Sequence, residues 1–190
     1  KEIAASFSKL NKTERKARES KGAGMQLTTN EEVNNTVKES LVEYKSFNHL
    51  PETTPEEIEA KQRAYKKFLD GKGFTFLKTM ADSQVAQFFI PKTTANKDKF
   101  ITDNEYRQIL AGQKGWQGQK TAMATAIAQE KKIFHWFLEF PEVFQQNGFD
   151  CILGNPPFLG GLKLSLNFGA SFTNYLHSNY QPAKGTFDIV

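Results

Sequence analysis

Phe149-Asp150-Cys151-Ile152-Leu153-Gly154-Asn155-Pro156-Pro157-Phe158 is the stretch on which the reading of this chain turns. Its first half is a continuous apolar run closed by a glycine, the pattern of a short parallel strand covered on both faces. Its second half is an Asn-Pro-Pro-aromatic turn, and in open α/β sheets ligands bind just outside the carboxyl ends of the strands. The Asn155 side-chain carbonyl is a hydrogen-bond acceptor. The Pro156 carbonyl is a second one, held in place because the ring locks φ, and Pro157 stiffens the turn. Phe158 presents a flat face for stacking. Two converging acceptors beside a stacking ring suit the exocyclic amine of an adenine swung out of a DNA duplex. Asn155, Pro156, Pro157 and Phe158 are therefore the candidate catalytic residues. Taken alone, Asn-Pro-Pro is also a common turn, so the flanking sequence carries the decision.

Upstream of this stretch the periodicity is helical. Ile3, Phe7 and Leu10 recur at helical spacing and predict a helix over 2–19, broken by Gly22-Ala23-Gly24. Asn30 is a candidate cap for a second helix, which carries Val33, Val37, Leu41 and Tyr44 and ends before Pro51. Thr54-Pro55-Glu56-Glu57 is a capping box with proline in the first turn, opening a third helix that stops at Gly71. A fourth helix is expected over 76–89, then a polar loop over 93–99, a short helix from a capping Asp103 to Leu110, and a sixth helix over 119–132. Beyond residue 132 the pattern changes. A short strand is expected over 133–137, a short helix over 141–146, a turn at Asn147-Gly148, a strand over 149–154, loop over 159–165 and helix over 170–179, closed by Pro182. One strand cannot make a sheet, so the rest of the sheet is expected from sequence outside this chain.

The chain has 190 residues and a hydrophobic fraction of 38% with 17 Phe, enough for one domain core or slightly more. Its single cysteine, Cys151, excludes an intrachain disulfide and fits a reducing cytoplasm. Its place mid-strand reads as a small buried apolar residue. No stretch is long enough to span a bilayer and no secretory signal opens the chain. Lys1 stands where a complete protein would start with Met, and Val190 falls in what reads as a helix, so an internal piece of a larger protein is expected. The formal charge of +4 lies wholly in residues 1–21, which hold seven Lys or Arg against three Glu. That arm reads as a solvated helix face, with phosphate contact the alternative.

The motif and its surroundings resemble the amino-group DNA methyltransferases. Asp150 to Phe158 is similar to the catalytic motif of the adenine-N6 class. The run Phe134-His135-Trp136-Phe137-Leu138-Glu139-Phe140-Pro141-Glu142-Val143-Phe144, followed by Gly148-Phe149-Asp150, resembles the approach to that motif in large restriction–modification and phage-defence enzymes. Met80-Ala81-Asp82, Phe88-Phe89-Ile90-Pro91 and Gly185 to Val190 resemble further segments of the same proteins. The resemblance covers residues from about 76 onward. It implies S-adenosylmethionine as methyl donor, double-stranded DNA with a flipped adenine as substrate, and the remaining domains of the parent chain as partners. It also implies a mostly α fold: a helical insertion or spacer over 1–132, then over 133–190 a fragment of a Rossmann-like α/β methyltransferase core. The family's apolar strand followed by Gly-x-Gly, which cradles the cofactor, has no counterpart before Asn155. Gly22-x-Gly24 follows a charged helix and reads as a helix cap. The cofactor-binding residues are therefore unassigned and expected upstream of Lys1. His49, His135 and His177 lack the paired spacing of a metal site, and nothing pairs Asp82 with Glu142. The competing reading is a non-catalytic helical module that binds DNA or a neighbouring domain.

Overall fold

The computed structural model describes residues 2–20, 31–155 and 161–179. They form helices α1 (Glu2–Ser20), α2 (Glu31–Asn48), α3 (Pro55–Leu69), α4 (Lys72–Ala86), α5 (Asp103–Leu110), α6 (Gln119–Glu130), α7 (Trp136–Glu139), α8 (Pro141–Gln145) and α9 (Gly161–Asn179). A 3₁₀ helix at Thr94–Lys99 occupies the expected polar loop. The chain is mostly α, as its periodicity indicates. The expected break at Gly22–Gly24 and the Asn30 cap lie outside the described residues.

Local chemistry explains several boundaries. At α3 the Thr54 hydroxyl accepts from the Glu57 amide, and Glu57 returns its carboxylate to the Thr54 amide at 3.0 Å. Pro55 in the first turn loses no hydrogen bond there. At α5 the cap is Thr102 rather than Asp103, because the Thr102 hydroxyl reaches the Glu105 amide at 3.1 Å. Helix α1 supplies two more partners to that terminus: Asn11 Oδ1 accepts from Asp103 N at 3.4 Å and Glu14 Oε2 from Asn104 N at 3.2 Å. One of the three acidic residues in the basic arm thus serves packing. Phe7 meets Phe100 edge-on at 4.9 Å on the same side.

Helix α4 is the centre of the molecule. Five consecutive residues, Thr79 to Ser83, are buried. That run exceeds one turn, so helices or loops surround α4 on all sides. One core groups Tyr44, Phe47, Phe68, Phe74, Ala81 and Leu138. A second groups Val33, Phe76, Met80 and Ile109, with Trp116 against it. Each fully buried aromatic ring contributes roughly 1.5–3 kcal/mol. Helix α4 also packs against α6, whose buried residues are the small Thr121, Ala124 and Ala128. Past Ala86 the backbone tightens through bonds from Phe88 N to Val85 O and from Phe89 N to Ala86 O. The helix thus begins four residues earlier and ends three earlier than its apolar pattern indicates. Lys92 closes this end: its ammonium donates to Gln87 O and Ile90 O and lies 4.1 Å from the centre of the Phe100 ring. Burial pushes its pKa down to about 8.

One sequence expectation fails here, and a second finds no partner among the described residues. Residues 133–137 are not a strand: α7 begins at Trp136, and the His135 carbonyl accepts from Leu138 N and Glu139 N. The apolar run 149–154 has no ladder partner among the described residues, where no strand is present. A strand exists only through its pairing, and a single apolar run has nothing here to pair with. Helix α9 starts at Gly161, earlier than expected, and is interrupted by Gly169 at φ 81. The left-handed conformation there suits glycine, and the expected 170–179 helix is the part beyond this kink.

Where α2 crosses α4, a Cβ on Gly73 would lie 3.1 Å from Ser40 Oγ and 3.3 Å from the Thr36 carbonyl. Close approach requires glycine. The Ser40 hydroxyl is buried there without a hydrogen-bond partner. Deleting an unsatisfied buried hydroxyl removes its desolvation cost, and alanine is the better helix former. Ser40→Ala is therefore expected to leave stability unchanged or raise it by up to about 1 kcal/mol. Urea unfolding checks this, and a loss of stability would show that the hydroxyl does have a partner.

Candidate functional site

The site is built around the segment from Phe134 to Asn155. Four polar contacts fasten it to the helical block. Tyr44 Oη donates to the Glu139 carbonyl at 3.1 Å and Tyr65 Oη to Glu139 Oε2 at 3.0 Å. Asn48 Nδ2 donates to Glu142 Oε2 at 3.0 Å. His135 Nε2 lies 2.8 Å from Asp82 Oδ1, with both residues buried. Asp82 Oδ2 receives Lys78 Nζ at 2.8 Å from one turn earlier on α4. An ionised carboxylate only accepts, so the His135 Nε2–H is the donor. Leu138, buried in the first core, adds the apolar anchor.

Above these anchors the aromatic side chains make a surface cluster. Phe149 meets Trp136 at 5.7 Å, Phe140 at 5.5 Å and Phe144 at 5.9 Å, all edge-on. Trp136 and Phe140 are stacked at 5.9 Å. Such ring pairs add about 0.5–1.5 kcal/mol each beyond burial. Asn147 and Gly148, at φ 72 and 108, make the sharp turn that brings Phe149 back onto α7 and α8. The Asn-Gly turn signal is thus borne out.

From Phe149 the chain runs outward. Cys151 is exposed, not buried as its place in an apolar run suggests. Ile152 and Leu153 are 72% and 97% exposed. The reason is the one that leaves the strand unpaired, since no sheet among the described residues receives these side chains. Asn155 is exposed at the end of the segment. Pro156, Pro157 and Phe158 lie outside the described residues. On the far side, α9 returns to the end of α4: Phe172 stacks on Phe89 at 5.4 Å, and Tyr175 meets Phe88 at 4.1 Å. Both flanks of the Asn155 turn are therefore tied to one helix and the turn that follows it.

Sequence reasoning did not bring Asp82, His135 and Lys78 together. Asp82 and His135 are 53 residues apart, and no spacing rule links them. Only the Lys78–Asp82 pair carried a local signal, the four-residue helical spacing. Glu142 bonds to Asn48 and lies 3.8 Å from His49. Among the described residues no group of three His, Cys, Asp or Glu is arranged to hold a metal. No helix among them is long and apolar enough to cross a membrane.

Tyr65 gives the clamp a measurable signature. Burial, then the hydrogen bond and charge of Glu139, hold its phenol up to about 12. A folded-state pKa above the unfolded value of about 10 favours folding below that pH and loses its contribution as pH rises through 12. Tyr65→Phe is expected to cost about 1 kcal/mol at neutral pH and to flatten the loss of stability between about pH 10 and 12. Denaturant unfolding across that range, on both proteins, decides it. Equal slopes would mean that Tyr65 ionises as freely folded as unfolded.

The family model described as Eco57I restriction-modification methylase matches residues 2–190. No curated protein and no solved structure matches the chain. The match takes in the helical block as well as the clamped segment and the Asn155 turn, and on that span the chain belongs to the Eco57I restriction-modification methylase family, a family of DNA methyltransferases.

Proposed function

We propose that this chain carries the target-base side of an adenine-N6 DNA methyltransferase, which moves a methyl group from S-adenosylmethionine to an adenine flipped out of double-stranded DNA. The parent would be a type II-like restriction–modification or phage-defence protein. The observation that carries this reading is Asn155-Pro156-Pro157-Phe158 at the end of an apolar run, in a chain of a restriction-modification methylase family. The exposure of Asn155 supports it, since a group that receives a base from DNA must be reachable.

The adenine amine is a poor nucleophile because its lone pair is delocalised into the ring. Donating its two N–H bonds to Asn155 Oδ1 and the Pro156 carbonyl returns electron density to nitrogen and fixes its direction. Catalysis by these residues is positioning and electrostatics. Phe158 holds the flipped base by stacking, worth on the order of 1–3 kcal/mol. In this reading residues 1–132 are a helical insertion or spacer and 133–190 a partial catalytic core, within which 149–153 joins a doubly wound sheet as a strand. The exposed Ile152 and Leu153 side chains support that pairing, because a sheet covered on both faces would bury them.

The described residues do not fit the cofactor. None of them forms an apolar strand followed by Gly-x-Gly. Gly115 and Gly118, beside Trp116, have no atom within 4 Å of where a side chain would start, so no close approach requires glycine there. The cradle is assigned to the remaining domains of the parent.

The isolated chain is expected neither to bind S-adenosylmethionine in calorimetry nor to methylate DNA. In the parent, Asn155→Ala is expected to lower labelled-methyl transfer to adenine by at least about 10²-fold while cofactor binding holds. Phe158→Ala weakens capture of the base, and Phe158→Tyr is tolerated because the stacking face survives. Full transfer by Asn155→Ala would discard the catalytic assignment in favour of a helical binding module.

A further inference from the structure

We propose that His135 and Asp82 are positioning residues for the methyl-transfer site, acting through Trp136 and Phe149 on the segment that ends at Asn155. This inference rests on the proposed adenine methylation and names residues that the reading of the motif leaves without a role.

The geometry supplies the path. Asp82 has no exposed surface, and its two oxygens are taken by His135 Nε2 and Lys78 Nζ, each at 2.8 Å. Its place is set by α4, whose buried residues pack into both cores. His135 is thereby held at the residue before α7, and the next side chain is Trp136. The Trp136 ring meets Phe149 edge-on and stacks on Phe140, which also meets Phe149. Trp136 and Phe140 are 49% and 36% exposed, so solvent, not a packed wall, lies on their outer side. Beneath them the segment is held by Leu138, by the Tyr44, Tyr65 and Asn48 bonds to Glu139 and Glu142, and by the His135–Asp82 contact, which is the buried one next to Trp136. Asn155 lies only six positions after Phe149, and a shift of the rings displaces the start of that short segment. A misplacement of about 1 Å in a group that aims a reacting atom costs on the order of 10²-fold in rate.

Lys78 is 35% exposed along its side chain. It can balance the Asp82 charge from the solvent side whether or not His135 is present, so the imidazole is not required for charge compensation alone. Its distinct contribution is a directional N–H bond across two segments far apart in sequence. That separates a positioning role from a purely stabilising one.

The test uses the full-length protein and steady-state methyl transfer, with Asn155→Ala as a reference. His135→Leu keeps bulk but removes the donor. It is expected to lower kcat about 10- to 100-fold, with the KM for DNA and for S-adenosylmethionine changed less than about 3-fold. His135→Gln can offer its amide N–H to Asp82 and is expected to recover kcat to within about 5-fold of the parent. Asp82→Asn keeps an acceptor oxygen and a similar shape, and it serves if His135→Leu does not fold. Its kcat should fall by less than that of Asp82→Ala. Thermal melts give the folded fraction of each variant. The inference is overturned if kcat falls no further than the folded fraction, if Leu and Gln at 135 behave alike, or if only KM rises. Those results, with Asn155→Ala inactive, would leave the catalytic reading standing and remove His135 alone. An active Asn155→Ala would instead remove the reading on which the inference rests.

Discussion

The constraint on which the rest depends is the carboxylate of Asp82, withdrawn from water in the middle of α4. A charge there is tolerable only if its oxygens are met by donors. One donor is local, Lys78 on the same helix face, and the other, His135, comes from a segment that the rest of the chain must deliver. Lys78 still balances the charge without His135, but losing the His135 donor leaves one buried oxygen without a partner, at a cost of roughly 1–3 kcal/mol, so the fold that satisfies Asp82 favours this placement of residues 134–140. The apolar core alone would accept several placements of Phe134, Trp136 and Phe137, since all three rings remain about half exposed where they are.

From that placement the course of the segment leading to Asn155 follows. The tyrosine bonds to Glu139 and the Asn48 bond to Glu142 extend the clamp along α7 and α8. The Asn147-Gly148 turn folds Phe149 back onto the rings, and α9 closes the far side on Phe88 and Phe89. The segments before and after the motif are thus set against α4 and the turn that follows it. A packed support beneath an exposed Asn155 suits a base-binding site, because freedom at the point of attack costs rate. Elsewhere the same logic ties smaller pieces together. Glu105 receives Lys114 and, at 2.6 Å, Lys120, which joins α5 to the glycine-rich connector and to α6. Burial alone would raise the Glu105 pKa, but the two ammonium groups outweigh it and hold the carboxyl below its usual range.

Much of the helical architecture was legible from residues a few positions apart. The Thr54 capping box, the apolar spacing of α1 and α2 and the Asn147-Gly148 turn act within one or two turns of chain, and the structure contains each. The ends of α4 were read less well. Its apolar pattern carries no phase when more than a full turn is buried, and its first turn follows directly on the Gly71 cap. The 133–137 stretch, Ile133-Phe134-His135-Trp136-Phe137, has the β-branched and aromatic residues that favour a strand. The tertiary contacts of Leu138, Glu139 and His135 override that preference. Cys151 was misplaced for the same reason as the strand around it. Burial there needs a partner surface, and an apolar run specifies the need without supplying the surface.

The sequence by itself determined the helical character of the chain, the turn chemistry and the identity of the residues in the Asn-Pro-Pro-Phe motif, because these follow from φ restriction, capping and periodicity over short separations. Tertiary structure alone decided that Asp82 meets His135, that Glu142 meets Asn48 rather than a second carboxylate, and that α9 returns to Phe88 and Phe89. Those contacts join residues about 50 to 90 positions apart. The reason is physical: a buried charge or an exposed ring is satisfied by whatever surface the packed helices bring to it, and that surface exists only after the helices have packed.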